Sequence, residues 1–201
     1  MLVARRSILI GLGGLALAGR PAFAAAGDEA GNVVAATGAA TGQIRGAKRS
    51  LASGAPVFID DMLSTGAAAR LAVKLGQSTR LSLGERTRVR IDQFLVDRGG
   101  ELTLGRGAML FDRPDDPASG VLEVMTPFGL IAARGTKFFA GPSKGTFGVF
   151  VEHGVVTVRT QAGAVRLTDG QGTDIKDIRT APTEPKPWGP PRIAAAIASV
   201  T

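Results

Sequence analysis

The sequence predicts an all-β fold: short antiparallel, solenoid-like strands in twisted, juxtaposed sheets, with a proline-rich C-terminal tail. Between about Val33 and Ile175, apolar side chains recur at every second position, the signature of strands with one buried face. These runs return at roughly 8 to 12 residue intervals, the rhythm of a sandwich, barrel or solenoid rather than of βαβ units. Glycine, 28 of 201 residues, fills the gaps between them.

The elements follow in order. Residues 1–24 read as a signal peptide: Arg5 and Arg6, an apolar run from Ile8 to Ala18, then Ala22-Phe23-Ala24 as a small-x-small cleavage site. The run falls short of the ~20 apolar residues that a membrane span needs. Arg5-Arg6-Ser7-Ile8-Leu9 is similar to a twin-arginine leader, so both the general secretory and twin-arginine routes stay open. The mature chain is expected in a periplasm, without a membrane span. Ala25 to Asn32 is small and polar and is expected to be mobile.

The β domain is expected over residues 33–175. Val57-Phe58-Ile59 reads as a strand ended by Asp60-Asp61. Alternation continues at Leu71, Val73 and Leu75, at Leu81 and Leu83, at Val89 and Ile91, at Leu102 and Leu104, and from Val121 to Val124. Phe147 to Val151 and Val155 to Arg159 read as a hairpin turning at Glu152-His153-Gly154, because glycine supplies the positive φ of such a turn. Residues 176–201 form the tail. Pro182, Pro185, Pro187, Pro190 and Pro191 make it stiff and extended. Arg192 to Thr201 carries a helical stripe of Ile193, Ile197 and Val200. So short a helix is unstable alone, and a frayed terminus is expected.

Composition narrows the chemistry. Cysteine is absent and His153 is the sole histidine, which removes disulfides, thiolate sites and multi-histidine metal cages. No metal site, cofactor or catalytic residue is expected. The net charge of +7 includes Arg5, Arg6 and Arg20 of the leader, and no basic arm or aromatic platform points to nucleic acid. The polar feature that stands out is Arg86, Arg88 and Arg90. On a strand these share one face about 7 Å apart, opposite Val89 and Ile91, with Arg80 nearby. Guanidinium groups so placed suit carboxylates, phosphates or an acidic glycan, and Glu85 and Asp92 would balance part of their charge.

Thr126-Pro127-Phe128-Gly129, leading to Arg134-Gly135-Thr136-Lys137-Phe138, resembles the signature of the FecR domain family. Val149 to Val158 around Gly154, and the closing Gly170-Gln171, resemble its next elements. The resemblance implies a periplasmic all-β domain without catalysis. In the best-known members that domain follows a cytoplasmic anti-sigma segment and a membrane helix, and relays a signal from an outer-membrane transporter to a sigma factor. Here only about seven residues precede the apolar run. A free-standing exported module that binds or scaffolds a protein or cell-envelope polymer is therefore the expected function. A component of a cell-surface signalling pathway is the alternative, and an envelope glycan-active enzyme is a third reading. Thr126, Pro127, Gly129, Arg134, Gly135, Thr136, Phe138, Gly154, Gly170 and Gln171 are expected to be structural. Pro127 would start a strand or bulge, and Thr136 would cap a freed backbone group.

Overall fold

The computed structural model describes residues 28–95, 99–115 and 120–201. The expected leader lies outside them. The described chain runs through β1 (Glu29–Thr37), β2 (Ala40–Ile44), β3 (Ala47–Ser50), β4 (Pro56–Phe58), β5 (Met62–Thr65), β6 (Arg70–Leu75), β7 (Thr79–Leu83), β8 (Arg88–Leu95) and β9 (Gly99–Arg106). It continues through β10 (Met109–Asp112), β11 (Leu122–Thr126), β12 (Gly129–Ser143), β13 (Thr146–Arg159), β14 (Ala164–Leu167), β15 (Gln171–Ile175), β16 (Lys186–Pro187) and the helix α1 (Pro190–Ala198). The fold is all-β, as the alternation predicts.

Every strand joins one hydrogen-bonded sheet, and the long ribbon β12–β13 divides it into two halves. The start of β12, Gly129–Ala133, pairs with β11, while Lys137–Ala140 pairs with β10. Likewise the end of β13 pairs with β14 and its start with β15. One half therefore reads β3-β2-β5-β8-β9-β11-β12-β13-β14. The other reads β4-β1-β6-β7-β10-β12-β13-β15-β16. A strand that switches sheets through a bulge is how such a corner is made.

The inward faces of both halves share one core. Leu63, Val89, Ile91, Leu102, Val124 and Val158 come from the first half; Val73, Leu81, Met109, Phe138, Val149 and Ile175 come from the second. Leaving water drives this closure, at about 25 cal/mol per Å2 of apolar surface buried. Two expectations about local order change. Residues 28–32 are not a mobile lead-in: Ala30 is buried, and Gly31 and Asn32 pair with both β4 and β6. Glu152-His153-Gly154 is not a hairpin tip either, because β13 runs unbroken through it.

The C-terminal tail is docked rather than frayed. Thr183 and Trp188 hydrogen-bond to the backbone of Asp174 and Gly170, which covers the edge strand β15. Pro190 and Pro191 then open α1, where a missing N–H costs nothing. Trp188, Ala196 and Val200 pack on Ala108, Leu110, Phe139 and Phe150, with Ile193 and Ile197 alongside. This second apolar cluster lies on the outer face of the second half and supplies the partner that the short helix lacked in isolation. Among the described residues, no helix is long and apolar enough to cross a membrane.

Candidate functional site

The arginine stripe is partly dispersed by the fold. Arg88 and Arg90 lie on β8 with exposed side chains, opposite the fully buried Val89 and Ile91. Arg86 is not on the strand. It occupies the preceding turn with φ 50, and its N–H donates to the Gly66 carbonyl at 2.9 Å. Arg80 is on β7, in the other half of the sheet, against Lys74 and Asp112. Arg90 forms an ion pair with Asp92, whose carboxylate also accepts from the Thr103 hydroxyl at 2.6 Å. Glu85 instead accepts from the Ala68 N–H. Arg88 stands beside Arg106 across the β8–β9 pair. Neither of these two forms an ion pair among the described residues.

The face around them carries a feature that the arginines alone do not reveal. Register places Arg90 opposite Thr103, Thr103 beside Met125, Met125 opposite Leu130 and Leu130 opposite Arg159. This row crosses five strands, with strands spaced about 4.8 Å apart. Met125 is 45% exposed and Val121, just before β11, is 51% exposed. Large apolar side chains are normally turned inward, so Met125 on β11 and Val121 just before it are the apolar exposures of this face, with the exposed Glu123 between them. The sequence shows part of this: in Val121-Leu122-Glu123-Val124-Met125 the phase opposite Leu122 and Val124 holds Val121 and Met125 on either side of Glu123.

The glycine-threonine block of the sequence motif forms the corner between the halves. Arg134 pairs with Val155 and Lys137 with His153, so Gly135 and Thr136 together face Gly154 alone. Gly135 has φ 54 and Gly154 φ 93, conformations that favour glycine. A Cβ on Gly154 would lie 2.5 Å from the Gly135 carbonyl oxygen and 2.7 Å from Thr136 Cγ2. The Gly154 N–H donates to Asp169 Oδ1 at 2.6 Å, and the Thr136 carbonyl accepts from the Arg113 N–H at 3.1 Å. Thr136 caps nothing with its side chain: it is fully buried, and its Oγ1 has no hydrogen-bond partner among the described residues. Its methyl group packs the corner instead. Arg134 is exposed beside it.

The remaining motif residues build turns. Thr126 and Gly129 pair across a two-residue loop, so Pro127 sits in a turn rather than at a strand start. The Thr126 hydroxyl accepts from the Phe128 N–H at 3.1 Å and donates to the Gly129 carbonyl at 2.8 Å. Phe138 fills the core against Phe111, with ring centroids 5.6 Å apart. Gly170 adopts φ 77, and the Gln171 side-chain oxygen accepts from the N–H and hydroxyl of Thr168, each at 3.0 Å.

Two partly buried ion pairs carry no local sequence pattern. Asp61 is fully buried and bound by Arg49, whose guanidinium also lies 5.1 Å from the Phe58 ring centre. Asp174 is bound by Arg192 of α1, with one bond at 3.1 Å. Burial pushes the Asp174 carboxyl up, but hydrogen bonds from Arg192 and Thr146 outweigh it and hold the carboxyl below its ordinary value. His153 and Asp169 lie 3.4 Å apart, both about three-fifths exposed, which leaves the pair in water rather than in a desolvated pocket. Among the described residues, no three His, Cys, Asp or Glu side chains are grouped to hold a metal ion.

A family model described as FecR protein matches residues 61–166, which includes the corner and strands of both halves. Two solved structures of a proposed anti-sigma factor from Parabacteroides distasonis superpose on the chain, each with a TM-score of 0.57 at 17% identity. The alignments cover 68% of this chain and 64% and 63% of those chains, so the match spans just under two thirds of that protein. At that identity the likeness establishes the shared fold. No curated protein matches the chain.

Proposed function

The chain belongs to the FecR family, and on that premise we propose that it is a regulatory, non-catalytic domain of a cell-surface signalling pathway. It works in the periplasm by contact with a protein partner. The observation that carries this reading is the family match across the sheet corner, reinforced by a fold shared with a proposed anti-sigma factor. That support favours signalling over a general scaffold for an envelope polymer, which rests on the basic side chains alone.

The contact face in this reading is the bare outer face of the first half. Met125 and Leu130 give it an apolar centre, and the surrounding rim is of mixed charge: Arg88, Arg90 and Arg159 on one side, and the exposed Glu101 and Glu123 on the other. An apolar centre with a polar rim is the anatomy of a protein interface, and the rim charges steer encounter more than they add affinity. Photocrosslinking from position 125, with the full chain in its own host, tests the proposal. The expected adduct is a transporter or a sigma-regulatory protein. Adducts with envelope polymer alone would overturn it in favour of the scaffold.

A further inference from the structure

At one end of the shared core, a cleft of about 550 Å3 opens between the two halves. Its walls come from three turns. Leu104, Arg106 and Gly107 end β9, Pro127 and Phe128 form the β11–β12 turn, and Pro142 with Phe147 flanks the β12–β13 turn. Lys176 closes the rim just after β15. Phe128 stacks on Phe147 across the halves, with centroids 4.5 Å apart and planes 13° from parallel. Phe147 is 5% exposed and Phe128 half-buried, so the stack forms an anchored aromatic wall with one partly open ring. Two prolines fix the backbone on either side.

Charge selects the occupant. Arg106 and Lys176 are exposed at the rim, and among the described residues no carboxylate lines the cleft. The nearby Asp174 accepts from the Thr146 hydroxyl at 2.8 Å and is held by Arg192 at 3.1 Å. Asp177 follows Lys176 in the chain and is occupied by the Arg179 N–H and the Thr180 hydroxyl. Ligand sites of this size are typically apolar, with a few polar groups that fix orientation. An aromatic surface closed by two cations takes a flat apolar body with one acidic group.

We propose that this cleft is a binding site for a small aromatic carboxylate. The ring lies against Phe128 between Pro127 and Pro142, and the carboxylate meets Arg106 and Lys176. The site gives the domain a chemical input separate from the outer face around Met125. It stands on the cleft alone, so its failure leaves the signalling reading untouched.

Amide chemical-shift mapping with 2-naphthoate tests it directly. Saturable shifts are expected at Gly107, Phe128, Thr146 and Lys176. The uncharged 2-naphthamide should bind at least about tenfold more weakly, because it loses the charge-assisted contacts to both Arg106 and Lys176. Lys176→Gln, at an exposed position beyond β15, should weaken 2-naphthoate binding several-fold and leave 2-naphthamide unchanged. Arg106→Gln provides the same comparison from the other rim. Equal binding of acid and amide, shifts centred elsewhere, or no saturable shift up to the solubility of the probe would each overturn the proposal.

Discussion

The two halves of the sheet present outer faces of opposite character. On the second half, Phe139 and Phe150 point outward but stay buried, because Trp188 and α1 lie over them. On the first half, Met125 and Val121 point outward and remain exposed. Among the described residues, the chain returns to cover Phe139 and Phe150 and does not return over Met125 and Val121. An outward apolar side chain therefore has no fixed meaning. It is core where the chain returns to shield it, and open surface where the chain does not.

Removing the cover should give the largest effect. Trp188 is the chain's sole tryptophan, stacked on Phe150 at 5.2 Å and lying under Arg192 at 3.6 Å. Trp188→Ala should cost about 3 kcal/mol in urea unfolding, a value typical of large-to-alanine changes in a core. Amide exchange should rise over residues 183–201 before it rises in β6 or β7. Uniform exchange across the chain would mean that the tail is not a separate layer.

The joint between the halves comes next. Gly154→Ala adds a methyl group against Gly135 and Thr136 in a left-handed conformation. A loss of about 1–3 kcal/mol is expected, with exchange accelerated in both β12 and β13. A neutral substitution would show that the corner yields easily.

Acid should loosen the covered face gently. Asp174 is held below its ordinary carboxyl value of 3.8 by Arg192 and Thr146. Its folded-state value is the lower one, so its contribution is fully present above pH 3.8 and is lost as pH falls below that value. The pair is partly solvated, which keeps the effect under about 1 kcal/mol. Trp188 fluorescence should report it as a transition below the ordinary carboxylate range, absent in Asp174→Asn. Met125→Ser should have the smallest effect, within about 0.5 kcal/mol in stability, while abolishing capture of the partner at that face. A large destabilisation there would place Met125 in a core rather than at an interface.

What the sequence reveals depends on which contacts are local. Strands such as Leu71 to Leu75 and Val89 to Ile91 are legible because one buried face against one wet face imposes period two. Phe147 to Val151 is buried on both faces, so its alternation disappears into a continuous apolar run. There Gly154 serves a turn and a bulge equally well, and only the distant Gly135 decides between them. The helix stripe of Ile193, Ile197 and Val200 was legible, but its receptor was not: Phe139 and Phe150 lie on strands far from it in the sequence. Arg49 and Asp61 carry no pattern at all, because a single pair of opposite charges is meaningful only after β2, β3 and β5 align. The arginine stripe failed for a related reason. Period two held for Arg88 and Arg90, and the left-handed turn at Arg86 broke it.

The order in which the strands visit the two halves has one more consequence. The chain begins in the second half at β1, crosses for β2 and β3, returns for β4, and keeps changing sides until β12 and β13 serve both. The adjacent parallel strands β9 and β11 exist because β10 is laid down on the far side between them. The polypeptide is thus laced like a shoe, with each pass drawing the opposite flaps together. No single cut isolates either flap. A fragment ending anywhere before β13 leaves both sides without the ribbon that joins them.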